Sequence, residues 1–456
     1  MASRYVAFGS LALSVTLAAA SAVPAVSPKT LRAAAAGSAR LVVVGSRSAE
    51  QRQSATASKL DSVLADLSRH AARARPGHIL EDLHSLSPPA RFTAAAATGA
   101  PLVLIDAVTR GDPEQLKAAL LGLGLQRAAV YLNDVGGWLP VDRIDAAAAR
   151  AEVHSIRAAM PHTRVAGPVA LQGDYVQRSD VVRTTYPTLS GTGITVGVLS
   201  DSFNCYAVYA VPANNVPVSG NAGYASNGFT ADYTSDVSTG ALPSGVNVLA
   251  GGEADCLNYG APTQLPFGDE GRAMLQIVHA VAPGASLAFY TAQNSEADFA
   301  GGIGKLATAG ARVIADDVGY FDEPYYQDGL VAQAIDAVEA KGVAYFSAAG
   351  NNGTLSYENT APSFATLSSS APTAGEYLLN FDTSGTTTTN YLPITVPPIP
   401  PGAFVAVFIE WDQPYVTGAS GSPGASSEID LCITGGTGSD TITDNDGNAV
   451  SCTGPT

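Results

Sequence analysis

The sequence predicts an α/β fold built on a doubly wound parallel sheet, preceded by a small α+β domain and followed by a β-rich segment. Three observations carry that prediction. Residues 101–165 alternate strand and helix patterns in the order βαββαβ. Residues 191–350 alternate amphipathic helices with strands that are apolar throughout, and from about 356 the texture changes to short Ser/Thr/Gly-rich strands. Strands without polar alternation belong to parallel sheets covered on both faces. A chain of 456 residues has room for two or three domains with their own cores.

At the start, "MASRYVAFGSLALSVTLAAASAVPA" has one early Arg4, an apolar run and a small-residue Ala-Ser-Ala ending at Ala22. That is the pattern of a secretory signal over residues 1–22, too short and Ala-rich for a stable membrane anchor, and no later stretch offers about 18 unbroken apolar residues. The mature protein is expected outside the cell or in a periplasm. Residues 23–98 are Ala/Ser/Arg-rich and read as a low-complexity pro-region or linker with one helix, "ATASKLDSVLADLSRHAARA".

Residues 99–166 form the first regular unit. "PLVLID" is a strand, "DPEQLKAALLGLG" a helix opened by Asp112-Pro113 and closed by Gly124, and "QRAAVYL" and "VGGWLPV" are strands; "VDRIDAAAARA" is a helix and "VHSIRAAM" the last strand. That order is ferredoxin-like. Residues 167–355 hold the parallel-sheet body: strands "GITVGVLSDS", "ASLAFYTA", "ARVIADD" and "VAYFSAAGNNG", with helices "GDEGRAMLQIVHAVAPGA", "ADFAGGIGKLATAG" and "YQDGLVAQAIDAVEAKG" between them. On the first of these helices, Met274, Ile277, Val278 and Val281 have the spacing of one buried face. Residues 356–456, with "NYLPITVP" and "AFVAVFIEWDQP", read as an antiparallel β-sandwich-like insert or extension.

Charge divides the chain at the same place. Through residue 190 there are 20 Lys and Arg against 14 Asp and Glu, and beyond it 4 against 26, giving net charges of +6 and −22. The basic front is expected to be attracted to the acidic body. Nucleic-acid binding by that body is excluded as a reading, because phosphate contacts need a basic face. Cys205, Cys256, Cys432 and Cys452 lack Cys-x-x-Cys spacing; structural disulfides Cys205–Cys256 and Cys432–Cys452 are expected, although spacing alone does not fix the connectivity. No motif implies a metal or cofactor: "GTGITVG" places its glycines before or within the strand, and "DNDGN" lacks the distant Glu of a calcium loop.

In an open parallel sheet the strand C-termini and following helix N-termini share one rim, where ligands bind. Asp201, Asp316, Asp317 and Asn351 end or follow their strands, and Glu270 opens its helix, so all five belong on that rim. His279 does not. It lies nine residues past Glu270, roughly 13 Å along the helix and half a turn round at about 1.5 Å per residue.

Together "GTGITVGVLSDS", "EGRAMLQIVHAVAPGA" and "VAYFSAAGNNG" resemble three ordered blocks of the subtilisin-like and sedolisin-like serine peptidase superfamily. The resemblance covers about residues 100–355. It implies a subtilisin-like sheet, makes Asp201 the catalytic Asp and Asn351 an oxyanion-hole donor, and makes the ferredoxin-like domain an intramolecular chaperone and inhibitor. Where the superfamily's subtilisin-like branch has His-Gly-Thr, this chain has Glu270-Gly271-Arg272, so Glu270 is the expected base. The sedolisin-like branch also uses Glu, with an Asp one turn later; here that residue is Met274, so Asp269, Asp201, Asp316 or Asp317 must supply the supporting acid. The Gly-Thr-Ser nucleophile block occurs nowhere in the 456 residues, as in a peptidase domain interrupted by a β insert and lacking its last part. Ser200, Ser202 and Ser347 do not match the family's serine.

The resemblance therefore implies a secreted serine-type endopeptidase acting on polypeptide substrates, with an Asp/Glu/Ser-type arrangement whose Ser is absent. A Glu with an ordinary pKa near 4.3 is a weak base at neutral pH and suits acid conditions. Two rival readings stand beside it: a catalytically inactive surface or binding module, and a carboxylate-pair hydrolase, such as a glycosidase using Asp201 and Glu270.

Overall fold

The structure is a computed structural model that describes residues 11–18, 37–46, 59–71, 92–94, 100–159, 173–205, 209–210, 218–219, 232–258, 269–320, 323–350 and 356–366, and shorter stretches between 377 and 450. The N-terminal strands β1 (Leu11–Ala18) and β2 (Gly37–Ser46) precede a helix at Ser62–Ala71 and a short strand β3 (Phe92–Ala94).

The ferredoxin-like order is present. Strand β4 (Pro101–Val108) leads to a helix at Pro113–Leu121, then β5 (Gln126–Tyr131), β6 (Asp134–Pro140), a helical turn ending in Ile144–Ala148, and β7 (Ser155–Ala158). The strands pair antiparallel in the order β5-β6-β4-β7, and β3 lies along the other end of β4. Asp112 caps the first helix through the Glu114 N–H at 3.0 Å, with Pro113 at its first position, where a missing N–H costs nothing. Both faces of β4 are covered. Val103, Ile105 and Ala107 join Leu116, Leu120 and Ile144 in one cluster. Leu102 and Leu104 join Trp138, Cys205 and Cys256 in another. Leu64 and Leu67 also lie in the first cluster, and Asp61 accepts from Leu64 N and Ala158 N, both at 2.7 Å. The helix at 62–71 is thus packed into this domain, although the sequence leaves it in the preceding linker.

The body contains β8 (Thr195–Ser200), the short pair β9 (Tyr209–Ala210) and β10 (Val218–Ser219), β11 (Asn247–Val248), β12 (Ser286–Thr291), β13 (Ala311–Asp316) and β14 (Ala344–Ser347). Its sheet is five-stranded and wholly parallel, in the order β11-β12-β8-β13-β14. Helices Glu296–Thr308 and Leu330–Glu339 cover one face through Phe299, Ile303, Leu306, Leu330 and Ala334. The helix Glu270–Val281 covers the other through Leu275, against Val196, Val198, Leu287 and Phe289. The chain passes from β12 across β8 to β13, so the order reverses at β8, and its C-terminal end is where such a sheet binds ligands.

One expectation about that helix is corrected. Leu275 is fully buried and Ile277 is 49% exposed, so the buried stripe runs through Gly271, Leu275 and the partly buried Met274, Val278 and Ala282. Gly271 sets the rotation. A Cβ there would lie 2.2 Å from the Phe289 ring and 2.8 Å from Ser202 O, so the bare Cα must face the sheet.

The β-rich segment supplies β15 (Ser356–Asn359), β16 (Ser363–Thr366), β17 (Tyr377–Asn380), β18 (Leu392–Val396), β19 (Phe404–Trp411), β20 (Glu428–Thr434), β21 (Ile442–Thr443) and β22 (Ala449–Val450). They form antiparallel sheets with strands from the far N-terminus at their centres. β1 runs between β15 and β19, and β2 pairs with β17, β18 and β20. Residues read from sequence as an export signal and a linker therefore pair with strands more than 300 positions away. Among the described residues no helix is long and apolar enough to cross a membrane.

Candidate active site

The rim at the end of β8 is organised by the start of the Glu270 helix. Asp201, 1% exposed, turns its Oδ1 under that start and accepts from Glu270 N at 2.8 Å, Gly271 N at 3.3 Å and Ser202 N at 2.5 Å. Its carbonyl accepts from Thr291 Oγ1 at 2.6 Å, which fastens it to the end of β12. A carboxylate here satisfies helix N–H groups that have no partner within the helix, and it complements the helix dipole. Asp201 thus contacts Glu270 through the backbone.

Asp269 goes elsewhere. Its backbone is left-handed, with φ 52° and no side-chain cap on the helix. Its carboxylate accepts from Cys205 N at 2.6 Å and Arg272 Nε at 3.2 Å, and Arg272 Nη1 donates to Asp236 at 2.6 Å. All three side chains are nearly buried. The sequence offers Asp269 as a supporting acid; the structure occupies it with an arginine. The adjacent Cys205 is bonded to Cys256, with Cα atoms 5.6 Å apart. The expected Cys432–Cys452 pair falls on positions outside the described side chains, and Asn351 also lies outside the described residues.

Glu270 and Asp317 come together. Asp317, just past the end of β13, lies near enough to the Glu270 side chain for that carboxyl to lower its pKa, although its Oδ1 makes no hydrogen bond of ordinary geometry. Ser200 Oγ has no hydrogen bond of ordinary geometry, yet it lies close enough to draw the Asp317 pKa down. Burial outweighs both contacts, and with the neighbouring Asp316 charge it pushes Asp317 up to about 6. Asp316 faces away. Its carboxylate accepts from Tyr345 Oη at 2.5 Å, Ser347 Oγ at 2.7 Å and Val318 N at 3.3 Å. Burial raises its pKa against those bonds, and it raises the Tyr345 pKa as well.

Two carboxyls in contact cannot both ionise without strong repulsion, so the pair holds one proton across a range well above the usual carboxylate pKa. Such a pair can accept a proton from one group and return it to another. His279 sits in the last turn of the helix, half-buried, with its pKa lowered by burial, at the end remote from Glu270. Tyr345, Asp236 and Arg272 are not singled out by the sequence. Arg272 was legible as the i+3 partner of Asp269, and Tyr345 only through the β13–β14 register. Among the described residues no group of three or more His, Cys, Asp or Glu could hold a metal ion.

The ferredoxin-like domain meets the body at the helix Glu296–Thr308. Asp106 accepts from Glu296 N at 3.1 Å and Ala297 N at 3.5 Å, and Arg157 bridges Glu296 at 2.5 Å and Asp134 at 3.3 Å. Gly136 abuts Ser295 so closely that a Cβ would lie 1.9 Å from its hydroxyl.

No protein-family model matches the chain, and no curated protein is found similar to it. Among solved structures it aligns with fervidolysin from Fervidobacterium pennivorans, described as a keratinolytic enzyme related to subtilisin. The identity is 16% and the TM-score 0.27, over 55% of this chain and 40% of that one. The chain thus spans less than half the length of that structure, and a likeness at this TM-score carries no argument about fold or activity.

Proposed function

We propose that the chain is the pro-domain and part of the peptidase domain of a secreted serine-type endopeptidase of the subtilisin-like and sedolisin-like kind. Glu270 is the general base and Asp317 its supporting acid. Asp201 fixes the helix that carries Glu270, Asn351 donates to the oxyanion, and residues 99–166 act as the intramolecular inhibitor. The observation that carries the reading is the approach of Glu270 and Asp317 at the C-terminal rim of a parallel sheet, at the point where strand order reverses. The docking of Asp106 and Arg157 on the Glu296 helix supports the inhibitor role. The serine nucleophile is not among these residues, so the proposal assigns it to sequence beyond them.

Labelling with a serine-directed phosphonate tests this. The 456-residue chain is expected to take up none, and a longer product of the same gene carrying a Gly-Thr-Ser block is expected to be labelled and to lose labelling on Ser→Ala. An unlabelled longer product would end the serine-peptidase reading.

A carboxylate-pair hydrolase is the second reading. The observation favouring it is the same contact, which moves the pair from Asp201/Glu270 to Glu270/Asp317. Cleavage by the 456-residue chain itself, abolished by Glu270→Gln, would establish that reading in place of the first.

A further inference from the structure

We infer that Asp316 is a positioning residue, whose anchored carboxylate holds the exit of β13 so that Asp317 meets Glu270. The inference rests on the reading of Glu270 and Asp317 as the reacting pair. Successive residues at a strand end point to opposite sides, so Asp316 cannot itself join the pair. It takes hold of the chain on either side of its neighbour instead. Tyr345 Oη and Ser347 Oγ donate to its carboxylate from β14, where Ser347 lies opposite Asp316 in the parallel register. Val318 N donates from the residue just beyond Asp317, and Ala348 N donates to the Asp316 carbonyl at 3.1 Å. Asp317 is thus a single residue strung between two fixed points, with one approach to Glu270 and Ser200.

The anchor has an electrostatic side. Asp316 is 5% exposed, and its charge next to Asp317 favours retention of a proton by the pair. The groups facing Asp317 are Ser200 at the end of β8, Glu270 at the helix start and Asp316 on its own strand. Tyr345 and Ser347 stand behind Asp316. A residue that only stabilised the fold would alter the melting temperature and leave the proton affinity of the pair where it was.

The test is a titration of the 456-residue chain carrying carbon-13-labelled aspartate carboxyls, read by NMR, in the wild type and in Asp316→Asn, Tyr345→Phe and Glu270→Ala. Folded Asp316→Asn should lower the Asp317 midpoint by about 1 pH unit, the loss of one neighbouring like charge. Tyr345→Phe should lower it in the same direction by less, because Asp316 without that donor gives up its charge more readily. If Asp316→Asn fails to fold, Tyr345→Phe decides. An unchanged Asp317 midpoint in the folded variants would overturn the inference. Glu270→Ala separates the two claims: if it leaves the midpoint in place, the Glu270–Asp317 pairing itself fails, whereas if it alone moves the midpoint, only the role of Asp316 falls.

Discussion

Asp269 and Glu270 are consecutive acids at one helix start, and they enter opposite environments. Asp269 is turned by its left-handed backbone toward Arg272, which also holds Asp236. Glu270, the first residue of the helix, meets another acid, Asp317. The interface with the ferredoxin-like domain repeats the first arrangement, with Arg157 between Glu296 and Asp134. A carboxylate matched by a guanidinium keeps its charge and serves the fold. A carboxylate matched by a carboxyl shares a proton and can move it. The partner, and not the residue type, separates scaffold from candidate chemistry in this body.

That contrast can be broken from its structural side, where the largest effect is expected. Arg272→Met leaves Asp269 and Asp236 buried without their cation, and should destabilise the protein by about 3–5 kcal/mol, read from urea unfolding. Removing the Cys205–Cys256 bond, which closes a separation of 51 residues, should cost about 2–4 kcal/mol. It should loosen the Asp269 side first, since Cys205 N donates to Asp269. Asp201→Ala strips the cap from the Glu270 helix, with an expected loss of about 1–2 kcal/mol, and frees Glu270 to move; amide exchange at Glu270 and Gly271 would report it.

The last effect concerns pH. Asp317 has a folded pKa raised to about 6, above its unfolded value near 3.9. The native state therefore binds the extra proton between those values, and the stability this contributes is full below about pH 4 and lost as pH rises through about 6. Asp317→Asn should flatten that slope. Unfolding midpoints measured at several pH values from 4 to 7 would show it, and an identical slope in the variant would remove Asp317 as the titrating group.

Much of this was legible in the sequence. The apolar runs at Thr195–Ser200, Ser286–Thr291 and Ala311–Asp316 mark a parallel sheet, and the position of Glu270 at its helix start follows from the pattern around it. Which acids face each other did not follow. Asp201, Asp316 and Asp317 all sit at strand C-termini, and a rotation of one residue along a strand or helix exchanges their partners. The close approach of Gly271 to Phe289 helps to fix that rotation, and it depends on a contact between distant segments. The pairing of β1 and β2 with strands beyond residue 355 was equally out of reach, because pairing between segments so distant in sequence leaves no local signal.

The central claim is that Glu270, poised against Asp317, is the base of a peptidase. It is tested most directly by the pH dependence of peptide hydrolysis, from pH 3 to 9, for a gene product carrying the serine block, beside its Glu270→Gln variant. The account predicts the best rate below about pH 7 and a loss of about 10²-fold or more in the variant; a best rate above about pH 7.5, or a variant as fast as the parent, would contradict it.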